Sequence, residues 1–93
     1  MSITIDGIII SGHLIEEIVS SMEGFTLWVK ALEGEGKKIN DKLSAYKKGD
    51  TVQVKDSYKF KHSGIYEIGE IEHSVDATKA PAFYSFKLDL KHK

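Results

Sequence analysis

The residues of this chain that can do chemistry are histidines, serines and carboxylates, and they crowd into one stretch. His62 and Ser63 are adjacent, Asp56 precedes them, and His73, Ser74 and Asp76 follow. Nucleophilic catalysis needs a base held against a hydroxyl or thiol, and a third group that orients the base. His62-Ser63-Gly64 puts the right types side by side, but neighbours on an extended chain point apart. Ser63-Gly64 therefore reads as a turn into the next strand. A metal site built on His62 and His73, with Asp56 and Asp76 nearby, lacks the recognised ligand spacings and has no cysteine to draw on. Both histidines read as surface or hydrogen-bonded structural residues, His62 in a loop and His73 at a strand end. Glu70 and Glu72 share a strand face that reads as solvent-exposed, which leaves no enclosed carboxylate pair. Gly34 and Gly36 flank a glutamate, and no phosphate-cradling glycine run is present. The expectation is a protein that is not an enzyme, with no catalytic residue, cofactor or metal.

Binding has more to work with. Lys47, Lys48, Lys55, Lys59 and Lys61 interleave with Tyr46, Tyr58 and Phe60, the mixture of cations and stacking surfaces used by barrels that bind single strands. Arginine, the bidentate reader of bases and phosphates, is absent, and the net charge is −1. Nucleic acid is thus the second choice of partner. The charge is also split along the chain. Residues 1–36 carry six acids against Lys30 alone, a net −5, while residues 37–63 carry eight lysines against three acids, a net +5. A dipolar surface of this kind suits head-to-tail stacking of like copies or docking on an acidic partner.

The elements that position these residues follow from the periodicity. Val52 and Val54 alternate with Thr51, Gln53 and Lys55 in one strand. Ile65, Glu67, Gly69, Ile71 and His73 alternate with Tyr66, Ile68, Glu70 and Glu72 in the next. Tyr84, Phe86, Leu88 and Leu90 make one face of a closing strand over residues 82–90, whose natural partner is the strand over 65–75. Phe25, Leu27, Val29 and Ala31 make one face of another strand, over residues 25–32. Residues 2–10 read as an opening strand with a turn or bulge signal at Asp6-Gly7. Leu14, Ile15, Ile18, Val19 and Met22 follow a helical spacing after Ser11 and before Gly24, which predicts a short helix near residues 12–23, with a bent strand as its competitor. Residues 37–48 offer only Ile39, Leu43 and Tyr46 for burial and read as an irregular arm or short helical turn.

Ninety-three residues make a single domain over 1–93. A chain of this size buries somewhat more than about 60% of its unfolded surface, enough for one small core. No basic region followed by an apolar run opens the sequence, and no apolar stretch approaches the length of a membrane span, so a soluble protein made in the cytoplasm is expected. Several antiparallel strands without strand–helix alternation predict a mainly β (α+β) fold: a small antiparallel barrel or sandwich of 4–6 strands with one short helix.

The stretch over residues 49–90 carries a resemblance. The runs G-D-T-V-Q-V, G-I-Y-E-I-G-E-I-E-H-S-V-D and Y-S-F-K-L-D-L resemble the barrel domains of bacteriophage tail-hub and baseplate proteins and the related hubs of contractile injection systems. There, a strand of the type G-x-Y-x-I-x-x-I-x-H-S precedes a short loop and a closing aromatic–apolar strand. Small head–tail connector and tail-completion proteins share a comparable layout. A fainter resemblance, through the KGDxVxV strand, is to the Src-homology-type barrels of translation factors and favours nucleic-acid or ribosomal partners. The phage resemblance implies an assembly component of a tail, baseplate or connector, found in the host cytoplasm and then in the particle. It implies ring-forming copies or other tail proteins as partners, with His73 and Ser74 a hydrogen-bonding pair rather than catalysts. The residues expected at such an interface are Ile39, Leu43, Tyr46, Lys47, Lys48, Tyr58 and Phe60.

Overall fold

The computed structural model describes every residue of the chain except Lys79. Seven strands are present: β1 (Ser2–Ile5), β2 (Ile8–Ser11), β3 (Ile15–Ser20), β4 (Gly24–Leu32), β5 (Thr51–Asp56), β6 (Gly64–Asp76) and β7 (Phe83–His92). One helix, α1 (Glu33–Leu43), follows β4, and a short 3-10 turn, Gly12–Leu14, joins β2 to β3. All pairings are antiparallel, in the order β2-β1-β5-β6-β7-β4-β3, and the sheet curls into a half-barrel. Its two edge strands are consecutive in the chain, so the 3-10 turn draws the edges together at one corner.

The mainly β class is as the periodicity predicts, and so is the pairing of β6 with β5 and β7. Val52, Val54, Tyr66, Ile68, Phe86 and Leu88 all lie in the core, none more than 3% exposed. Among the described residues the strand count is seven rather than 4–6, because the opening segment is a hairpin and residues 15–20 form a strand. Asp6 and Gly7 both take positive φ (47° and 83°), the two-residue turn whose twist matches antiparallel strands.

The helix is not near residues 12–23. That segment is the 3-10 turn and β3, rich in the β-branched residues that favour strands. A register shift between Ile15 and Glu17 inserts one extra residue. Ile15 and Ile18 then fall opposite Val29 and Leu27, on the same inner face although three positions apart. A bulge in a strand thus mimics helical spacing. The helix lies at Glu33–Leu43 instead, across the segment that reads as a turn at residues 34–36 and then an irregular arm or short helical turn from Lys37. Gly36, Ile39 and Leu43 form its buried stripe, and Glu33 and Glu35 sit in the first turn, where the helix dipole favours acids. Gly36 allows close approach: a Cβ there would come within 2.7 Å of Tyr84 Cβ.

A second shift, between Ile68 and Glu70, corrects the phase of β6. Past Gly69, Ile71, His73 and Val75 fall opposite Leu88, Phe86 and Tyr84, joining the side of Tyr66 and Ile68, while Glu70 and Glu72 turn outward. Outside, the Lys87 ammonium lies 3.7 Å from a Glu72 carboxylate oxygen and 5.9 Å from the Trp28 ring centre. That exposed pair adds little to stability. The core itself is what holds so small a domain. Truncating Ile68 or Phe86 to alanine should cost about 2–5 kcal/mol in urea titrations; a loss below about 1 kcal/mol for both would contradict this packing.

Candidate functional site

Residues 57–63 connect β5 to β6 and are organised by one carboxylate. Asp56 ends β5 on the inner face, its side chain fully buried. Its Oδ1 accepts the backbone N–H groups of Tyr58 and Lys59, both at 2.8 Å. Its Oδ2 accepts those of Lys61 and His62, both at 3.1 Å, and the His62 ring through Nδ1 at 2.8 Å. Burial alone would push the pKa of this carboxyl up. The hydrogen bonds from Lys59, His62, Lys61 and Tyr58 outweigh it and hold the carboxyl well below the usual carboxylate range. The same charge, after burial, pushes the Tyr66 phenol up.

His62 carries the connection across the half-barrel. Because a carboxylate only accepts, Nδ1 carries the hydrogen toward Asp56, and Nε2 is hydrogen-bonded to the Ser20 hydroxyl at 2.9 Å. Ser20 ends β3, the far edge of the sheet. The imidazole packs on Phe25, 4.6 Å between ring centres, and Phe25 meets Tyr66 edge-on at 5.0 Å. A second anchor is Tyr58. Its ring lies so close to Gly12 that a Cβ there would come within 2.6 Å of it. Residues 57–63 therefore fasten β1, next to one edge of the open sheet, through the Ser57 N–H to the Ser2 carbonyl (2.9 Å), and the other edge strand, β3, through Ser20.

Serine, histidine and aspartate here stand in the hydrogen-bonding order of a nucleophilic triad. Ser63, next to His62 in sequence, is not its partner, as its reading as a turn residue predicts; its hydroxyl accepts the Asp56 N–H at 2.9 Å. The partner is Ser20, which no sequence spacing marks. Here Asp56 is shared among four amides as well as the imidazole, and the imidazole packs at a tilt on Phe25. What this arrangement supplies is a latch that sets the shape of the loop.

The latch leaves the loop tip outside. Phe60 is 75% exposed and held at φ +61°, a left-handed conformation that bulky residues rarely adopt. Lys59 and Lys61 flank it, both exposed, and the Lys59 ammonium lies 4.9 Å from the Tyr58 ring centre.

The other expected interface residues divide. Ile39 and Leu43 are buried in the chain's own core, so they are not offered to a partner. Tyr46 is half-buried and donates to Asp6 Oδ2 at 3.1 Å; burial first, then this bond, pushes its phenol up. Lys47 and Lys48 are exposed and, with Tyr46, line a groove of about 640 Å³ against Gly69, Glu70, Ile71 and His73 of β6. His73 lies on that strand, 5.7 Å from Phe86 between ring centres. Asp76 accepts from the Thr78 hydroxyl and N–H, which draw its carboxyl down. Ser74 sits opposite Ser85, on the other face from His73, so the two do not pair. Among the described residues no group of three or more histidines or carboxylates is placed to hold a metal, and no helix is long and apolar enough to cross a membrane.

No protein-family model, curated protein or solved structure matches the chain.

A carboxylate more acidic in the folded than in the unfolded state stabilises fully above its unfolded value, near about pH 4, and ceases to as the pH falls through its folded value. Stability followed by urea titration from about pH 6 down to about pH 2 should therefore fall more steeply in the wild type than in Asp56→Asn. At neutral pH that variant should cost about 2–3 kcal/mol, as hydrogen bonds to a charged acceptor are weakened. A fluorophosphonate probe should leave Ser20 unmodified, and stoichiometric labelling there would convert the latch into a catalytic centre.

Proposed function

We propose that this chain is an assembly protein that works by contact with other proteins, as a component of a phage-derived tail, baseplate or connector. The observation that carries the contact mode is an unpaired strand edge. The last pair between β5 and β6 is Thr51 with Glu67, so from Glu70 to Asp76 β6 is bonded to β7 alone among the described residues. An unpaired edge of this length is a template for another chain's strand unless something blunts it. The groove formed with Tyr46, Lys47 and Lys48 runs beside this edge and gives an extended segment of another chain a place to lie. The phage context rests on the likeness of residues 49–90 to hub and baseplate barrels, whose G-x-Y-x-I-x-x-I-x-H-S strand corresponds here to β6.

Two isolated copies pairing through this edge in a two-fold manner about His73 would set Glu70 opposite Asp76, a like-charge contact that disfavours it. What completes β6 in this reading is an extended strand of a neighbouring protein in the particle. In the cells that make it, the chain should sediment with tail-like particles at fixed stoichiometry, and its amides over residues 70–76 should gain hydrogen-exchange protection in the particle. A chain that remains entirely in the free fraction while particles assemble would contradict this function.

A further inference from the structure

We infer that the loop tip at Phe60 is a docking knob that inserts into an apolar groove on a second copy of this chain. The inference rests on the assembly reading, and it concerns a different surface from the β6 edge.

Three features of the loop point to a binding role. An aromatic side chain three-quarters exposed gains nothing from the chain's own core. Its backbone sits at φ +61°, where asparagine or glycine would be easier to hold. And the strained conformation is over-determined by a buried carboxylate that takes the N–H of both flanking lysines, Lys59 and Lys61. Strain maintained at an exposed position by buried hydrogen bonds is a mark of a functional site. A rigid aromatic with a cationic rim has the make-up of an interface anchor, and pre-organisation removes the ordering cost of binding.

The receiving groove is on the same molecule's other side of charge. Leu14, Ala31, Leu32 and Phe83 line a hollow of about 370 Å³ where β4 runs into α1, roomy enough for a phenyl ring. Leu32 is half exposed, and Lys30 also lines the hollow, its ammonium 4.9 Å from the Phe83 ring centre. Glu35 lines the hollow and Glu33 follows directly on Leu32. All of the groove but Phe83 comes from the segment of net −5, and the knob comes from the segment of net +5. Lys59 and Lys61 would meet the two carboxylates as Phe60 enters. Phe60 stands three-quarters exposed in its own chain, so the groove it fills is a second copy's, and a knob-to-groove contact used head to tail propagates into rings or filaments.

The test uses two variants of the full chain. Phe60→Asn removes the ring and suits the left-handed backbone, so its stability should equal or exceed the wild type's while self-association weakens about tenfold or more. Leu32→Asn removes a groove wall and places a favoured residue at the N-cap of α1, so it too should stay folded. By light scattering and sedimentation over a wide concentration range at low salt, the wild type should form assemblies larger than dimers. Each variant alone should be monomeric, and their mixture should stop at pairs, since each keeps one half of the contact. A monomeric wild type, a Phe60→Asn variant that associates like the wild type, or a mixture that does not pair would each overturn the docking. A single-stranded oligonucleotide that binds the wild type with steep salt dependence, and not Phe60→Asn, would also overturn it and reassign the knob to base stacking. None of these results bears on the β6 edge, which particle sedimentation judges separately.

Discussion

One buried carboxylate governs the shape of this molecule. A seven-stranded antiparallel sheet that curls without closing leaves an inner face in need of a cover, and the cover on one side is a loop with little hydrophobic surface of its own. Asp56 makes that loop possible. Four amides and an imidazole converge on its two oxygens, so the charge is buried with its acceptor sites occupied. The imidazole then spans to Ser20 on the edge strand. On the other side the cover is α1, with Ile39 and Leu43 turned into the core. Removing the charge would leave several amides competing for one acceptor and free the residues that fasten β1 and β3.

Much of this was legible in the sequence where the period of two is unbroken. In β4, β5 and β7 every inner residue alternates without interruption, and the faces read from sequence are the faces observed. The errors fall where the strands slip. At Ile15/Glu17 and Ile68/Glu70 an extra residue sets apolar side chains three apart on one face. In the first case that spacing passes for a helix; in the second it reverses the outer half of β6. The true helix was hidden by composition. Ile39, Leu43 and Tyr46 have helical spacing, but Gly34 and Gly36 look like a turn, and only packing against Tyr84 explains Gly36.

The site was legible in part for a related reason. Asp56, His62, Tyr58 and Phe60 lie within a few residues of one another, so their concentration in one stretch was visible. Ser20 was not, because it reaches His62 only when the two sides of a curled sheet are brought together, a consequence of topology rather than of local pattern. The same limit applies to the pairing of an exposed ring in one half of the chain with a groove in the other. Charge segregation announced that the halves differ; the geometry adds which side chains stand at the two poles.

Function, in this account, follows from what the latch does with its surroundings: it gathers four amides and an imidazole of the loop onto one carboxylate and leaves one aromatic ring outside, in a conformation bulky residues rarely adopt. The most direct measurement is backbone 15N relaxation across residues 57–63. A loop pinned by Asp56 should give order parameters near about 0.85, like the strands it joins, falling below about 0.6 in Asp56→Ala. Values already below about 0.6 in the wild type would mean that the carboxylate does not hold the loop, and the central claim would fail.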